Sequence, residues 1–202
     1  MSSLVRRLIA PLPFLPSQDP VHNPEAASFV ASNKIVAVLD SAQLVGALNE
    51  ALVERYAGND AIRATPPRPA DALAHYTKAL AILNLVRGST REDQAEVDRN
   101  KASTLWNAAA AHMSRCEYGA AVSRCTEALA LEPTSCRVLL RRAKAHVKRG
   151  EWDAAAADVA AAKAAEPWSH EADDVEAQMK TERRRADASA ASFAANAFLG
   201  RR

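Results

Sequence analysis

"STLWNAAAAHMSRCEYGAAVSRCTEALALEPTS" at 103–135 and "RVLLRRAKAHVKRGEWDAAAADVAAAKAAEPWS" at 137–169 decide how this chain folds. At an offset of 34 residues (137 − 103), Leu105 falls on Leu139, Ala109 on Ala143, His112 on His146 and Tyr118 on Trp152. Ala121 falls on Ala155, Ala128 on Ala162 and Pro133 on Pro167. Agreement of small, aromatic and proline positions at a single offset marks an internal repeat rather than a shared composition.

Each block reads as two helices joined by a short turn, near Glu117–Gly119 in the first and Gly150–Asp153 in the second. Ala109 with Ala121, and Ala143 with Ala155, are small where paired helices must approach closely. Tyr118 and Trp152 open the second helix and are expected to pack back on the first. Pro133 and Pro167 end the pair, since proline lacks an amide hydrogen and restricts the residue before it.

Outward from these blocks the pattern loosens. "ADALAHYTKALAI" at 70–82 aligns with "GAAVSRCTEALAL" at 119–131, an offset of 49 (119 − 70) and so about 15 residues beyond the period. The surplus, "NLVRGSTREDQAEVDRN" at 84–100, reads as an extended helix and a charged loop. Before it, "SAQLVGALNEALVERY" at 41–56 has helical spacing, with Leu44, Leu48, Leu52 and Tyr56 on one stripe. "AGNDAIRATPPRP" at 57–69 then separates this helix from its partner by more than a tight turn. After Pro167, Ser169 suits a helix N-cap, acids come early (Glu171, Asp173, Asp174) and bases late (Lys180, Arg183–Arg185), matching the helix dipole. Val175, Met179, Ala186 and Phe193 are the residues expected to cover the last exposed core face, which repeat arrays require.

Composition narrows the function classes. With a net charge of +2 over 202 residues there is no global basic field, and the bases lack interleaved aromatics for stacking, so nucleic-acid binding is not expected. Gly is scarce, aromatics are 5%, and good helix formers dominate, which favours an all-α fold. No apolar run approaches the roughly 18 residues of a membrane span. Cys116, Cys125 and Cys136 are odd in number and show no C-x-x-C spacing, which fits buried thiols in a reducing, cytoplasmic setting. The basic start, "MSSLVRRLIAPLPFLPSQ", reads as a partly disordered docking arm, with organelle targeting as the alternative; Pro11, Pro13 and Pro16 would break an amphipathic helix there. Phosphate-loop, nucleophile-elbow and H-E-x-x-H patterns are missing, so no enzyme activity, cofactor or metal is expected. His112 and His146 are assigned to stacked packing positions, and Trp106 and Trp168 to packing.

The unit resembles the tetratricopeptide repeat (TPR), whose period and small, aromatic and proline positions match those above. The resemblance covers 102–169 and extends in part to the earlier hairpin. It implies an all-α array of about three helical hairpins, an α-α superhelix, with a C-terminal capping helix. The expected organisation is an N-terminal arm at 1–40, a TPR domain at 41–169, and a capping helix with tail at 170–202.

One helix is strongly basic. Arg137, Arg141, Arg142, Lys144, Lys148 and Arg149 occur with no acid among them. In a repeat stack the first helix of each pair lines the concave groove, and residues four apart share a face, so Arg137 and Arg141 project together. Arg141 lies one period after Asn107, which places one amide and two guanidiniums in a common hollow. Such a set suits a carboxylate, since Arg offers a planar fork for bidentate contact. Asn107, Arg137 and Arg141 reproduce the spacing of the carboxylate-clamp TPR domains: an Asn, a basic residue 30 positions on, and Arg four later. That resemblance implies binding of the Glu-Glu-Val-Asp C-terminal peptide of cytosolic ninety- and seventy-kilodalton heat-shock chaperones. The extended first repeat and the tail "ASFAANAFLG" at 191–200 also resemble the chaperone-binding half of the large immunophilins and of aryl-hydrocarbon-receptor-interacting protein. The clamp's further Lys–Asn pair has no counterpart, because 41–56 contain no Lys and Asn49 has no base at 45. Lys144 and Lys101 are the candidates for the missing charge, while Arg142, Lys148 and Arg149 read as a solvated face. The function implied is a co-chaperone-like adaptor; the alternative is a scaffold subunit holding a partner helix. The oligomeric state is not indicated.

Overall fold

The computed structural model describes residues 37–199. Most of the expected N-terminal arm, including the targeting reading, falls on residues outside that range. The described elements run β1 (Ala37–Leu39), α1 (Ser41–Arg63), α2 (Pro69–Leu85), β2 (Val86–Gly88), α3 (Arg91–Ser114), α4 (Tyr118–Leu131), α5 (Cys136–Arg149), α6 (Trp152–Ala165) and α7 (His170–Leu199). They gather into two compact units that divide between Thr104 and Leu105, inside α3.

In the first unit, Asp40 starts α1 with a capping box. Its carboxylate accepts the Gln43 amide at 2.8 Å, and the Gln43 side-chain oxygen accepts the Asp40 amide at 3.4 Å. The helix continues well past Tyr56, through Gly58 and Ala61 to Arg63, so the connection to α2 is only 64–68. This corrects the long separation read from 57–69: the segment holds a helical end, not a loop, and breaks only where Pro66 and Pro67 forbid continuation. The buried stripe is also different. Leu44, Ala47, Leu48, Ala51, Gly58 and Ala61 face inward, while Tyr56 is 57% exposed.

Between α2 and α3 the chain makes a feature outside the all-helical reading. Val86–Gly88 pairs in parallel with Ala37–Leu39, residue 37 opposite 86 and 39 opposite 88. Leu39 and Val86 seal the end of a core built from Leu44, Leu48, Ile82, Leu83 and Val97. The Gly88 amide donates to the Gln94 side-chain oxygen at 3.2 Å. A Cβ at Gly88 would stand 2.4 Å from the Gln94 backbone nitrogen, so only glycine fits this approach. The expected extended helix is present as the first turns of α3, begun by the Thr90 hydroxyl accepting the Asp93 amide at 3.1 Å.

The second unit holds the end of α3 and two tight helical connections. Ala109, Ala121, Ala143, Ala155, Ala128 and Ala162 are completely buried, as required where helices meet closely. Tyr118 and Trp152 begin α4 and α6 as expected. Gly150 closes α5 in the left-handed conformation, φ 74°, which a Cβ would disfavour. α7 covers the array with Ala172 and Val175, both buried. Ala186 and Phe193 do not contribute: Phe193 is 78% exposed and Ala186 is exposed, because α7 runs on past the helices that it packs against.

Candidate functional site

The basic helix α5 presents two different faces. On one, Arg137 and Arg141 converge on Trp106 of α3. The Arg141 guanidinium carbon lies 3.9 Å from the centroid of the indole and that of Arg137 5.1 Å. Arg141 Nη1 also donates to the Trp106 carbonyl oxygen at 2.7 Å, which is the peptide linking Trp106 to Asn107. Trp106 Nε1 donates back to the Arg137 carbonyl oxygen at 3.3 Å. Asn107 itself is half-buried. The four-residue spacing of the arginines brings two permanent cations to the Trp106 ring, and Arg141 alone reaches the Trp106–Asn107 peptide.

Lys144 is the next basic residue along α5, but its ammonium is held 2.7 Å from Glu171 at the start of α7. Two of the three basic site residues share the indole; the third engages the capping helix. The sequence offered no reason to single out Trp106 beyond packing, yet it is the residue on which both arginines rest. Trp168, assigned to packing with it, is 91% exposed.

The other face of α5 corrects the reading of Arg142 as merely solvated, while Lys148 and Arg149 are exposed as expected. Arg142 grips Asp158 of α6 through Nε at 2.8 Å and Nη2 at 2.6 Å, and reaches the Thr126 hydroxyl through Nη1 at 3.1 Å. Asp158 is only 4% exposed, and its hydrogen bonds hold the Arg142 guanidinium above its ordinary pKa. Arg149 pairs with Glu151 at 2.7 Å and Lys148 with Glu182 at 3.5 Å. Beside Arg142, burial pushes the Cys125 thiol up to about 12, which fits the inert buried role expected for it.

The two repeated histidines do more than pack. His112 Nδ1 lies 2.7 Å from Glu117 Oε2, and His146 Nδ1 lies 2.6 Å from Glu151 Oε2, one period later. In each case the glutamate amide also donates to the carbonyl of the same histidine, at 2.9 and 3.0 Å, so both helical connections are clipped twice. The histidine bond is the largest cause holding Glu117 and Glu151 below the usual carboxylate range. The signal was in the sequence: Glu117 and Glu151 are themselves 34 residues apart (151 − 117). Among the described residues no group of His, Cys, Asp and Glu could hold a metal ion, and no helix is long and apolar enough to cross a membrane.

No protein-family model matches the chain, and no curated protein does. Solved structures do. The second TPR domain of human RPAP3, in complex with the HSP70 peptide SGPTIEEVD, matches with a TM-score of 0.55 and 22% identity, over 66% of this chain and 98% of that one. The first TPR of Spaghetti (RPAP3), bound to the HSP90 peptide SRMEEVD, gives 0.53 and 22%, over 66% and 92%. The C-terminal TPR-containing domain of a Plasmodium falciparum FK506-binding protein gives 0.56 and 14%, over 70% and 93%. At such identities the likeness is one of fold. The chain has the all-α fold of a TPR hairpin array with a C-terminal helix, to which the short β1–β2 pair is an addition.

Proposed function

We propose that this TPR-fold protein is a co-chaperone-type interaction adaptor that holds the free, acidic C-terminus of a cytosolic heat-shock chaperone. Asn107, Arg137 and Arg141 form the clamp, and Lys144 lies at its margin. The observation that carries the reading is the gathering of Arg137 and Arg141 on the Trp106 ring, 5.1 and 3.9 Å from its centroid. Two guanidiniums gathered on one ring match a chain end that offers two carboxylates, as a C-terminal Asp does. RPAP3 domains of the same fold, bound to peptides ending in Glu-Glu-Val-Asp, support the class of ligand. In this reading 41–169 supply the repeats, 170–202 the cap and tail, and the protein works in the cytosol, where these chaperones are.

Each charge-assisted hydrogen bond to the ligand contributes about 1.5–3 kcal/mol, reduced where solvent screens it. Loss of Arg141 therefore weakens a micromolar peptide by about tenfold. Calorimetric titration of SGPTIEEVD, as free acid and as C-terminal amide, against wild type and Arg141→Ala tests the proposal. The free acid should bind wild type best and lose about tenfold with Arg141→Ala. Equal binding of acid and amide would favour the scaffold reading, in which a partner helix is held without recognition of a chain end. No binding of either peptide would reject the clamp.

A further inference from the structure

We infer that Trp106 is the positioning residue of this site: its indole turns two independent arginines into one receptor for a chain-end carboxylate. The inference rests on the clamp reading above. Two arginines one turn apart repel each other, and their long side chains have many rotamers, so on a bare helix they would splay into solvent. Here they do not. Both guanidinium carbons lie over the same ring, at 3.9 and 5.1 Å. The negative face of the indole attracts each cation and offsets part of their mutual repulsion.

Trp106 is held at two points, one on the ring and one on the backbone. Its Nε1 donates to the Arg137 carbonyl at 3.3 Å, and the Trp106 carbonyl accepts from Arg141 Nη1 at 2.7 Å. Trp106 is thereby tied to α5 through both its edge and its backbone, at the two residues whose side chains it supports. A guanidinium stacked on a ring keeps its N–H donors in its own plane, directed past the ring rim rather than into it. The cost of ordering two mobile side chains is then met by the fold before any ligand arrives, which is how preorganisation raises affinity. Phenylalanine can keep a cation–π face without the Nε1 tether; leucine keeps bulk and loses both.

The test compares wild type, Trp106→Phe and Trp106→Leu for binding of the SGPTIEEVD free acid and its amide, with circular dichroism melts of all three. The ratio of acid to amide affinity is the readout, because general damage to the unit would lower both together. Positioning by the indole lowers that ratio about tenfold in Trp106→Leu and about threefold in Trp106→Phe. An unchanged ratio in a folded Trp106→Leu overturns the inference while leaving the clamp intact. If Trp106→Leu fails to fold, Trp106→Phe decides: a reduced ratio supports the role and an unchanged ratio removes it. If wild type does not distinguish acid from amide, the clamp reading fails, and this inference with it.

Discussion

Arg142 holds Asp158 through a two-pronged ion pair, Nε to Oδ2 at 2.8 Å and Nη2 to Oδ1 at 2.6 Å, joining α5 to α6 inside the second unit. Asp158 is 4% exposed, so its charge has been taken almost wholly out of water. His146 Nε2 lies 3.9 Å from the same carboxylate. Removing one partner of such a pair leaves the other buried and uncompensated, a change that typically costs about 3–5 kcal/mol.

Arg142→Ala, which strands the buried Asp158 carboxylate, should therefore lower stability by about 3 kcal/mol, read as a shift of the urea midpoint at unchanged slope. A double replacement, Arg142→Leu with Asp158→Leu, should recover most of that loss, since a well-packed apolar pair is often as stable as a buried ionic one. A double variant as unstable as the single would show that the pair contributes net stability of its own.

Arg142 also shows where reading the sequence stops. Arg141 and Arg142 are adjacent and of one residue type, yet one meets an indole and the other a buried carboxylate. Only their positions on the helix separate them, and the decisive partner, Asp158, is 16 residues away (158 − 142) on another helix. The repeat was legible because packing against neighbours fixes small residues at Ala109, Ala121, Ala143 and Ala155, and a period of 34 exposes them. The β1–β2 pair was not, since three-residue strands carry no alternating pattern and their pairing spans 49 residues (86 − 37). In α1 the apolar stripe rightly included Leu44 and Leu48 but ran on to Leu52 and Tyr56, and it passed over the buried Ala47, Ala51, Gly58 and Ala61. Small residues mark close approach, and a hydrophobicity pattern weights them least. The spacing singled out Arg137 and Arg141 but gave no hint of the Trp106 ring on which both rest.

Two glycines of α1 should respond to the same substitution with opposite signs. Gly46 has nothing within 4 Å of an added Cβ and is exposed, so Gly46→Ala should stabilise by about 0.5–1 kcal/mol through helix propensity and a restricted unfolded chain. At Gly58 the same Cβ would stand 2.5 Å from Cε1 of Tyr76. That ring is 2% exposed, and its hydroxyl donates to Asn59 at 2.9 Å, so it can neither retreat nor turn without losing contacts. Gly58→Ala should destabilise by about 1–3 kcal/mol despite the better helix former. Thermal melts of the two variants beside wild type decide the matter, and equal shifts would refute the steric argument.

Acid should weaken the attachment of α7 in a defined window. Glu176 accepts Lys163 Nζ at 2.5 Å and Lys180 Nζ at 2.5 Å, and these bonds, that of Lys163 first, bring its carboxyl from 4.5 down to about 2. A group depressed in the folded state contributes stability fully above its unfolded pKa and loses it as pH falls through the folded value. The contribution should be complete above about pH 5 and disappear between pH 4.5 and about 2. Glu176→Gln should be less stable than wild type at pH 7, and the difference should shrink across that window. A constant difference down to pH 2 would mean that Glu176 acts by packing rather than by charge.

Lys144 connects the capping helix to the proposed clamp. It stands three residues after Arg141 on α5, a spacing that puts the two on one side of the helix, but its ammonium is 2.7 Å from Glu171. The Glu171 carboxylate neutralises a charge that an acidic peptide would otherwise meet, and adds a repulsive one of its own. Its side chain is 58% exposed, so the pair is screened and contributes little to stability. Glu171→Gln should leave the melting temperature nearly unchanged and tighten binding of the SGPTIEEVD free acid by about twofold to fivefold, with the gain shrinking as salt is raised. Lys144→Ala should weaken the same peptide by a similar factor, and in the double variant the benefit of Glu171→Gln should fall, because its main target has been removed. Additive effects in that cycle would mean that Glu171 repels the peptide directly, without acting through Lys144.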